Sequence, residues 1–162
     1  MALVRVLFVC TGNICRSPSA EGVMRLRLAE AGLDGQVDVD SAGLGDWHVG
    51  DPPDPRALHC ARRRGYDLSR LRARRLRQAD FDDFALVVGM DRGHVRELNA
   101  RRPDAAPGAV HLFLDFLAPE DPHRGRDVPD PYSGPLADYE LSLDLIEHGV
   151  PHLIAAVRRD LP

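Results

Sequence analysis

The sequence predicts an α/β fold, an open parallel sheet with helices on both faces, and two observations carry that expectation. Short apolar runs alternate along the chain with longer segments of helical periodicity, and the first run ends directly in a glycine-containing loop and a helix start. Strand, helix, strand order of this kind builds parallel pairs, whose ligands sit beyond the carboxyl ends of the strands. With 44% hydrophobic content over 162 residues, the chain is long enough for one compact domain, expected to span residues 1–162.

Arg5 to Val9 is a short apolar run suited to a strand buried on both faces, and it stops at Cys10. The loop that follows contains Gly12 and Asn13, residue types that accept unusual backbone angles. Ser17-Pro18 then reads as a helix start, with Ser as N-cap, Pro at the first helical position and Glu21 bringing negative charge to the first turn. That helix is expected to reach Ala31, where Gly32 to Gly35 stop it. Val37 to Val39 alternates as a second strand before a turn at Ser41-Ala42-Gly43.

Pro55 to Arg64 reads as a second helix, Phe84 to Met90 as a third strand, Arg92 to Asn99 as a helix and Val110 to Phe113 as a fourth strand. The Pro- and Gly-rich stretch from Ala118 to Pro135 predicts a long irregular loop, and such loops in compact domains carry function more often than not. Leu136 to Leu161 has helical periodicity, with Gly149 and Pro151 expected to kink or break it near His148.

Composition removes several classes. All 21 basic residues are Arg, and a chain without Lys can hold neither the Gly-x4-Gly-Lys-Ser/Thr nucleotide loop nor a lysine Schiff base. The formal net charge of -4, with no separate basic half, gives no reason to expect a nucleic-acid or membrane partner. Eight Arg between Arg62 and Arg77 raise the alternative of a nucleic-acid-binding module, but the acidic balance favours solvated surface. Three cysteines without Cys-x2-Cys spacing make neither a disulfide framework nor a zinc site, so no metal and no cofactor are expected. The N-terminus is too soon interrupted by charge for a secretory segment, and no apolar run approaches membrane-spanning length, so a reducing cytoplasm is the expected location.

The chemistry concentrates in Cys10-x5-Arg16. The bare pattern is weak evidence, but here it follows a buried strand and runs into a capped helix. A loop curling before a helix N-terminus turns the backbone N–H groups of Thr11, Gly12, Asn13, Ile14 and Cys15 toward a common centre, the arrangement a phosphate dianion requires. Arg16 closes the ring with a planar fork that matches two phosphate oxygens and stabilises transition-state charge. The same donors favour a sulfur anion at Cys10, which makes it the candidate nucleophile for a cysteinyl-phosphate intermediate formed without a metal. Cys15, five residues on, is near enough in sequence to suggest a reversible disulfide with Cys10.

Val9-Cys10-Thr-Gly-Asn-Ile-Cys15-Arg16-Ser17-Pro18 with Ala20-Glu21 resembles the signature of low-molecular-weight protein tyrosine phosphatases. The likeness extends through Ser41-Ala-Gly43, Trp47 to Arg56, Met90-Asp91 and Asp130-Pro-Tyr132 in family order, and so covers almost the whole chain. It implies a four-stranded parallel sheet with flanking helices. It also assigns Asp130, set between two prolines, as the acid that protonates a phenolic leaving group whose conjugate pKa is about 10 and then activates water. By the same resemblance Ser17 bonds to the nucleophilic sulfur, Asn13 and Ser41 brace the loop, Asp91 supports Arg16, and Trp47 and Tyr132 wall an aryl-specific cleft. The implied substrate is a phosphotyrosine-containing protein or a small aryl phosphate, and the product is inorganic phosphate.

Three departures stand out. Ser133 replaces a second Tyr that many family members carry as a phosphorylation site, so that regulation is not expected. Leu71 and Arg75 stand where the family segment Ser-x-His-x-Ala-Arg-Gln has His and Gln, and a hydrogen bond bracing the loop is expected to be missing. Arsenate reductases on this fold need two further redox cysteines, whereas Cys60 is the one cysteine outside the loop. Protein-arginine phosphatases of the family carry Thr in place of Ile14 and commonly Phe in place of Tyr132, so Ile14 and Tyr132 favour tyrosine.

Overall fold

The computed structural model describes residues 3–161. Four parallel strands lie in the order β2-β1-β3-β4: β1 Val4–Cys10, β2 Val37–Gly43, β3 Leu86–Gly89 and β4 Ala109–Leu112. The helices are α1 Arg16–Glu30, α2 Pro55–Arg63, the single turn α3 Asp80–Asp83, α4 Arg92–Arg101 and α5 Leu136–Arg159, with a 3₁₀ turn at Phe113–Phe116.

The unbroken apolar character of β1 follows from burial on both sides of the sheet. Val6, Phe8 and Cys10 belong to a core shared with α1, α2 and α5, while Leu7 and Val9 pack into a second core with Phe81, Phe84, Val87 and Leu98. A strand covered on both faces has no reason to alternate in polarity. The chain leaves β1 for β2 on one side and later crosses to β3 on the other, so the strand order reverses at β1. A crevice opens where successive crossovers diverge, and Cys10 ends the strand at that point.

Several boundaries differ from the sequence expectation. Ser41, Ala42 and Gly43 are not a turn: they continue β2 and pair with Phe8, Val9 and Cys10. Helix α1 begins at Arg16, with Cys15 at the cap position and no side-chain cap, so Ser17 is inside the helix and its hydroxyl is free for another partner. Glu21 lies beyond the first turn and is buried. Helix α3 has no periodic signal because it is one turn long. Strand β3 starts later, and the fourth strand ends at Leu112 as Phe113 enters the 3₁₀ turn.

Helix α5 runs without a break through Pro151. Pro151 is exposed and costs one rung of the ladder there, while Val150, Leu153, Ile154 and Val157 hold the inner face in the core. Gly149 serves packing, since a Cβ there would lie 2.6 Å from the Phe113 ring. Among the described residues, no helix is long and apolar enough to cross a membrane.

Candidate active site

The loop from Cys10 to Arg16 is shaped by its backbone bonds. The carbonyls of Cys10, Thr11 and Ile14 accept from the N–H groups of Leu44, Gly45 and Asp54 at 2.9, 3.1 and 2.8 Å. In a trans peptide the N–H points opposite to the C=O, and no described bond is cis. The N–H groups of Thr11, Gly12 and Cys15 therefore face away from those neighbours, toward the pocket that these residues line. Asn13 makes the turn with φ of 58°, a left-handed conformation that Asn tolerates better than most residues. Gly12 needs no such angle, and a Cβ there would stand 3.0 Å from the His48 ring, a tight contact that the His48 side chain would have to relieve.

Beneath the loop a chain of hydrogen bonds fixes one proton after another. The Asn13 amide donates to Ser17 Oγ at 2.8 Å and to Ser41 Oγ at 2.9 Å, and Ser41 passes its own proton to Glu21 Oε1 at 2.7 Å. Ser17 Oγ, which accepts from Asn13, also lies 3.0 Å from Cys10 Sγ and 3.5 Å from the Ala42 carbonyl. Asn13 Oδ1 accepts the main-chain N–H of Arg74 at 3.0 Å. The loop is thus braced by a main-chain donor at residue 74, while no described hydrogen bond reaches it from the side chain of Leu71 or Arg75 and Leu71 packs partly buried against the core. Burial holds the Glu21 carboxyl above its usual range, against the pull of Ser41 and Arg25.

Arg16 is 3% exposed, and its guanidinium is fixed from outside the loop. Nη1 donates to Asp91 Oδ2 at 2.8 Å and to the Val128 carbonyl at 2.9 Å, and Nη2 lies 3.7 Å from Asp130 Oδ2. Asp91 caps α4 in a reciprocal box with His94, so capping and support of Arg16 fall to the same carboxylate. Burial opposes ionisation of Asp91, but the His94 N–H and Arg16 prevail and hold it below its usual range.

His94 was not foreseen as part of this site, although its spacing from Asp91 is that of a capping box. Its Nδ1 lies 3.2 Å from the Asp91 main-chain nitrogen, and its Nε2 lies 3.0 Å from Thr11 Oγ1 and 3.4 Å from Arg16 Nη2, so the ring joins the start of α4 to the phosphate loop and to the guanidinium. Burial, reinforced by Arg16, pushes the His94 pKa down to about 4. Arg74 gave no sequence signal at all, since its contact with Asn13 spans 61 residues.

Cys10, Thr11, Gly12, Ile14, Cys15 and Arg16 line a pocket of about 150 Å³ with Trp47, His48, Asp130 and Tyr132. Cys10 is 3% exposed, whereas Trp47 is 71% and Tyr132 49% exposed, so sulfur lies at the bottom and aromatic rings form the rim. His48, the other unforeseen member, faces Tyr132 with ring centroids 6.2 Å apart. All three cysteines are free; burial pushes the Cys15 thiol up to about 12 and Cys60 up to about 11. Cys15 Sγ donates to Tyr139 Oη at 3.8 Å.

Within the Arg62 to Arg77 stretch, Arg64 is bound to Glu140, Asp144 and Glu147, while Arg74 and Arg77 share Asp80. Those guanidinium groups are committed to internal carboxylates.

The parallel sheet with its switch point, and a cysteine beneath a loop of inward amides beside a fixed arginine, define an α/β protein with a thiol at the floor of a cavity whose lining is complementary to an anion. The chain belongs to the low molecular weight phosphotyrosine protein phosphatase family, whose model matches residues 5–162. It is 43% identical over 157 residues to a low molecular weight protein-tyrosine-phosphatase of Streptomyces coelicolor, covering 97% of this chain and 95% of that one. The crystal structure of YfkJ from Bacillus subtilis superposes with a TM-score of 0.91 at 34% identity, covering 100% and 99% of the two chains. Vibrio vulnificus Wzb in complex with benzylphosphonate superposes at 0.79 with 26% identity, covering 99% and 100%.

Proposed function

We propose that this protein hydrolyses phosphotyrosine and other aryl phosphate monoesters in two displacement steps. In the first, the Cys10 thiolate attacks phosphorus, the P–O bond to the phenol breaks, and Asp130 delivers a proton to the departing oxygen. In the second, Asp130 as carboxylate takes a proton from water, which attacks the cysteinyl-phosphate. The P–S bond breaks to return the thiolate and release inorganic phosphate. Arg16 and the loop amides stabilise the charge on the equatorial oxygens in both steps.

The observation that carries this reading is the meeting of Cys10, Arg16 and Asp130 in one aromatic-rimmed pocket. Ser17 supports it, because its Oγ lies 3.0 Å from Sγ and, once Cys10 is a thiolate, the hydroxyl is the one partner of that contact with a proton to donate, which favours the sulfur anion before attack and after release. The benzylphosphonate bound by the Vibrio vulnificus relative has the shape expected of a ligand walled by Trp47 and Tyr132. A free thiolate lasts longest where oxidants are scarce, so a reducing cytoplasm is the setting that suits this reading.

A panel of phosphotyrosine, phosphoserine and phosphoarginine peptides, run in chelator beside an arsenate-reduction assay, tests the assignment. Turnover of the phosphotyrosine peptide alone is expected. Preference for phosphoarginine, reduction of arsenate, or loss of activity in chelator would each overturn it.

A further inference from the structure

The acid loop is held at two points, one on each side of Asp130. On the near side, Arg16 donates to the carbonyl of Val128 at 2.9 Å. On the far side, Arg56 donates to the carbonyls of Tyr132 at 2.8 Å and Gly134 at 3.2 Å. The Tyr132 backbone bears directly on the acid, because its N–H, one peptide unit before the carbonyl that Arg56 holds, donates to Asp130 Oδ1 at 3.1 Å. Whatever fixes Tyr132 therefore fixes one carboxylate oxygen of Asp130 and leaves Oδ2 facing Arg16.

Arg56 is itself anchored to the phosphate loop. Its Nε and Nη2 donate to the two oxygens of Asp54 at 3.1 Å each, a bidentate fork, and its guanidinium lies over the Tyr139 ring at 4.7 Å from the centroid. Asp54 caps α2, and its N–H donates to the Ile14 carbonyl at 2.8 Å. A continuous path thus runs from the back of the phosphate loop through Asp54 and Arg56 to the Tyr132 backbone and the Asp130 carboxylate. A lysine could not reproduce it, since one ammonium cannot form a fork with Asp54 while also reaching two carbonyls.

Resting on the proposed role of Asp130, we propose that Arg56 is a positioning residue that sets the reach of the acid over the bound phosphate and holds Tyr132 as the far wall. The test compares kcat/KM for phenyl phosphate, whose basic leaving group needs protonation, with that for a dinitrophenyl phosphate, whose leaving group does not. Arg56→Ala is expected to lose roughly tenfold or more on phenyl phosphate and less than about threefold on the activated ester. In an Asp130→Ala background the same substitution should leave the ratio between the two substrates unchanged.

Arg56→Lys, which keeps the charge over Tyr139, should fall between wild type and Arg56→Ala in that ratio. It provides the comparison if Arg56→Ala melts too low to assay. Equal losses on both esters, or a ratio change that persists without Asp130, would overturn the proposal while leaving the phosphatase reading intact. A wild-type protein that turns over neither ester would overturn both.

Discussion

Residues 10–17 and residues 127–135 meet over the same pocket, but they are held in different ways. In the first segment Cys10 and Arg16 are each 3% exposed, and the Asn13 and Ser17 side chains are enclosed in a hydrogen-bond chain ending at Glu21. In the second, the Asp130 side chain is 53% exposed, and the loop is fastened chiefly through its own carbonyls. The tasks proposed for the two segments account for the difference. A cradle for charge acts best when its donors are set before the ligand arrives, because nothing then has to reorganise as the transition state forms. An acid that becomes a base must trade protons with water, and the phenol must leave past it.

Substitutions in the two segments should therefore differ in kind. Cys10→Ser is expected to remove turnover, by at least about 10⁴-fold, and Arg16→Ala to cost about 10³-fold, both measured as kcat on an aryl phosphate. Residual activity within tenfold of wild type in either would place the chemistry elsewhere. Asp130→Ala should follow at roughly 10²–10³-fold on phenyl phosphate, with a far smaller loss on an activated ester and an unchanged melting temperature, as befits an exposed side chain. A drop in melting temperature comparable with that of a buried variant would erase the contrast between the segments.

The remaining effects fall on stability and sharpen the comparison on the buried side. His94 has a folded pKa of about 4 against an ordinary 6.5, so between these values the unfolded chain binds the extra proton. Its contribution is complete above pH 6.5 and is lost as the pH falls toward 4, by roughly 3 kcal/mol at the low end. Denaturant melts across that window should show a flatter pH dependence in His94→Gln than in wild type. Smaller still, Asn13→Gly should cost about 1–2 kcal/mol for lost hydrogen bonds. Asn13→Ala should cost about 1 kcal/mol more, because it adds a Cβ at φ of 58°. Equal melts for the two would mean that the backbone there relaxes.

Sequence alone determined the parts that depend on neighbours along the chain. The double-sided apolar run of β1, the switch into α1 and the placement of Cys10 and Arg16 at that junction are local matters, written within residues 5–18. Local reasoning failed where a longer-range contact outweighed it. Ser17 looks like a cap in sequence, yet its hydroxyl bonds Sγ and the helix starts earlier. Pro151 looks like a break, yet the packing of α5 against the core carries the helix through it.

Only the tertiary structure decided what holds the reactive groups. Arg16 meets Asp91 and Val128 across 75 and 112 residues, and Asn13 meets Arg74 across 61. Side-chain periodicity and turn chemistry constrain a few residues at a time, whereas contacts at such separations follow from how the crossovers of a parallel sheet bring strand ends together. The cysteine proposed as nucleophile was therefore legible from its own loop, and the groups that hold that loop became visible only once the chain had closed around it.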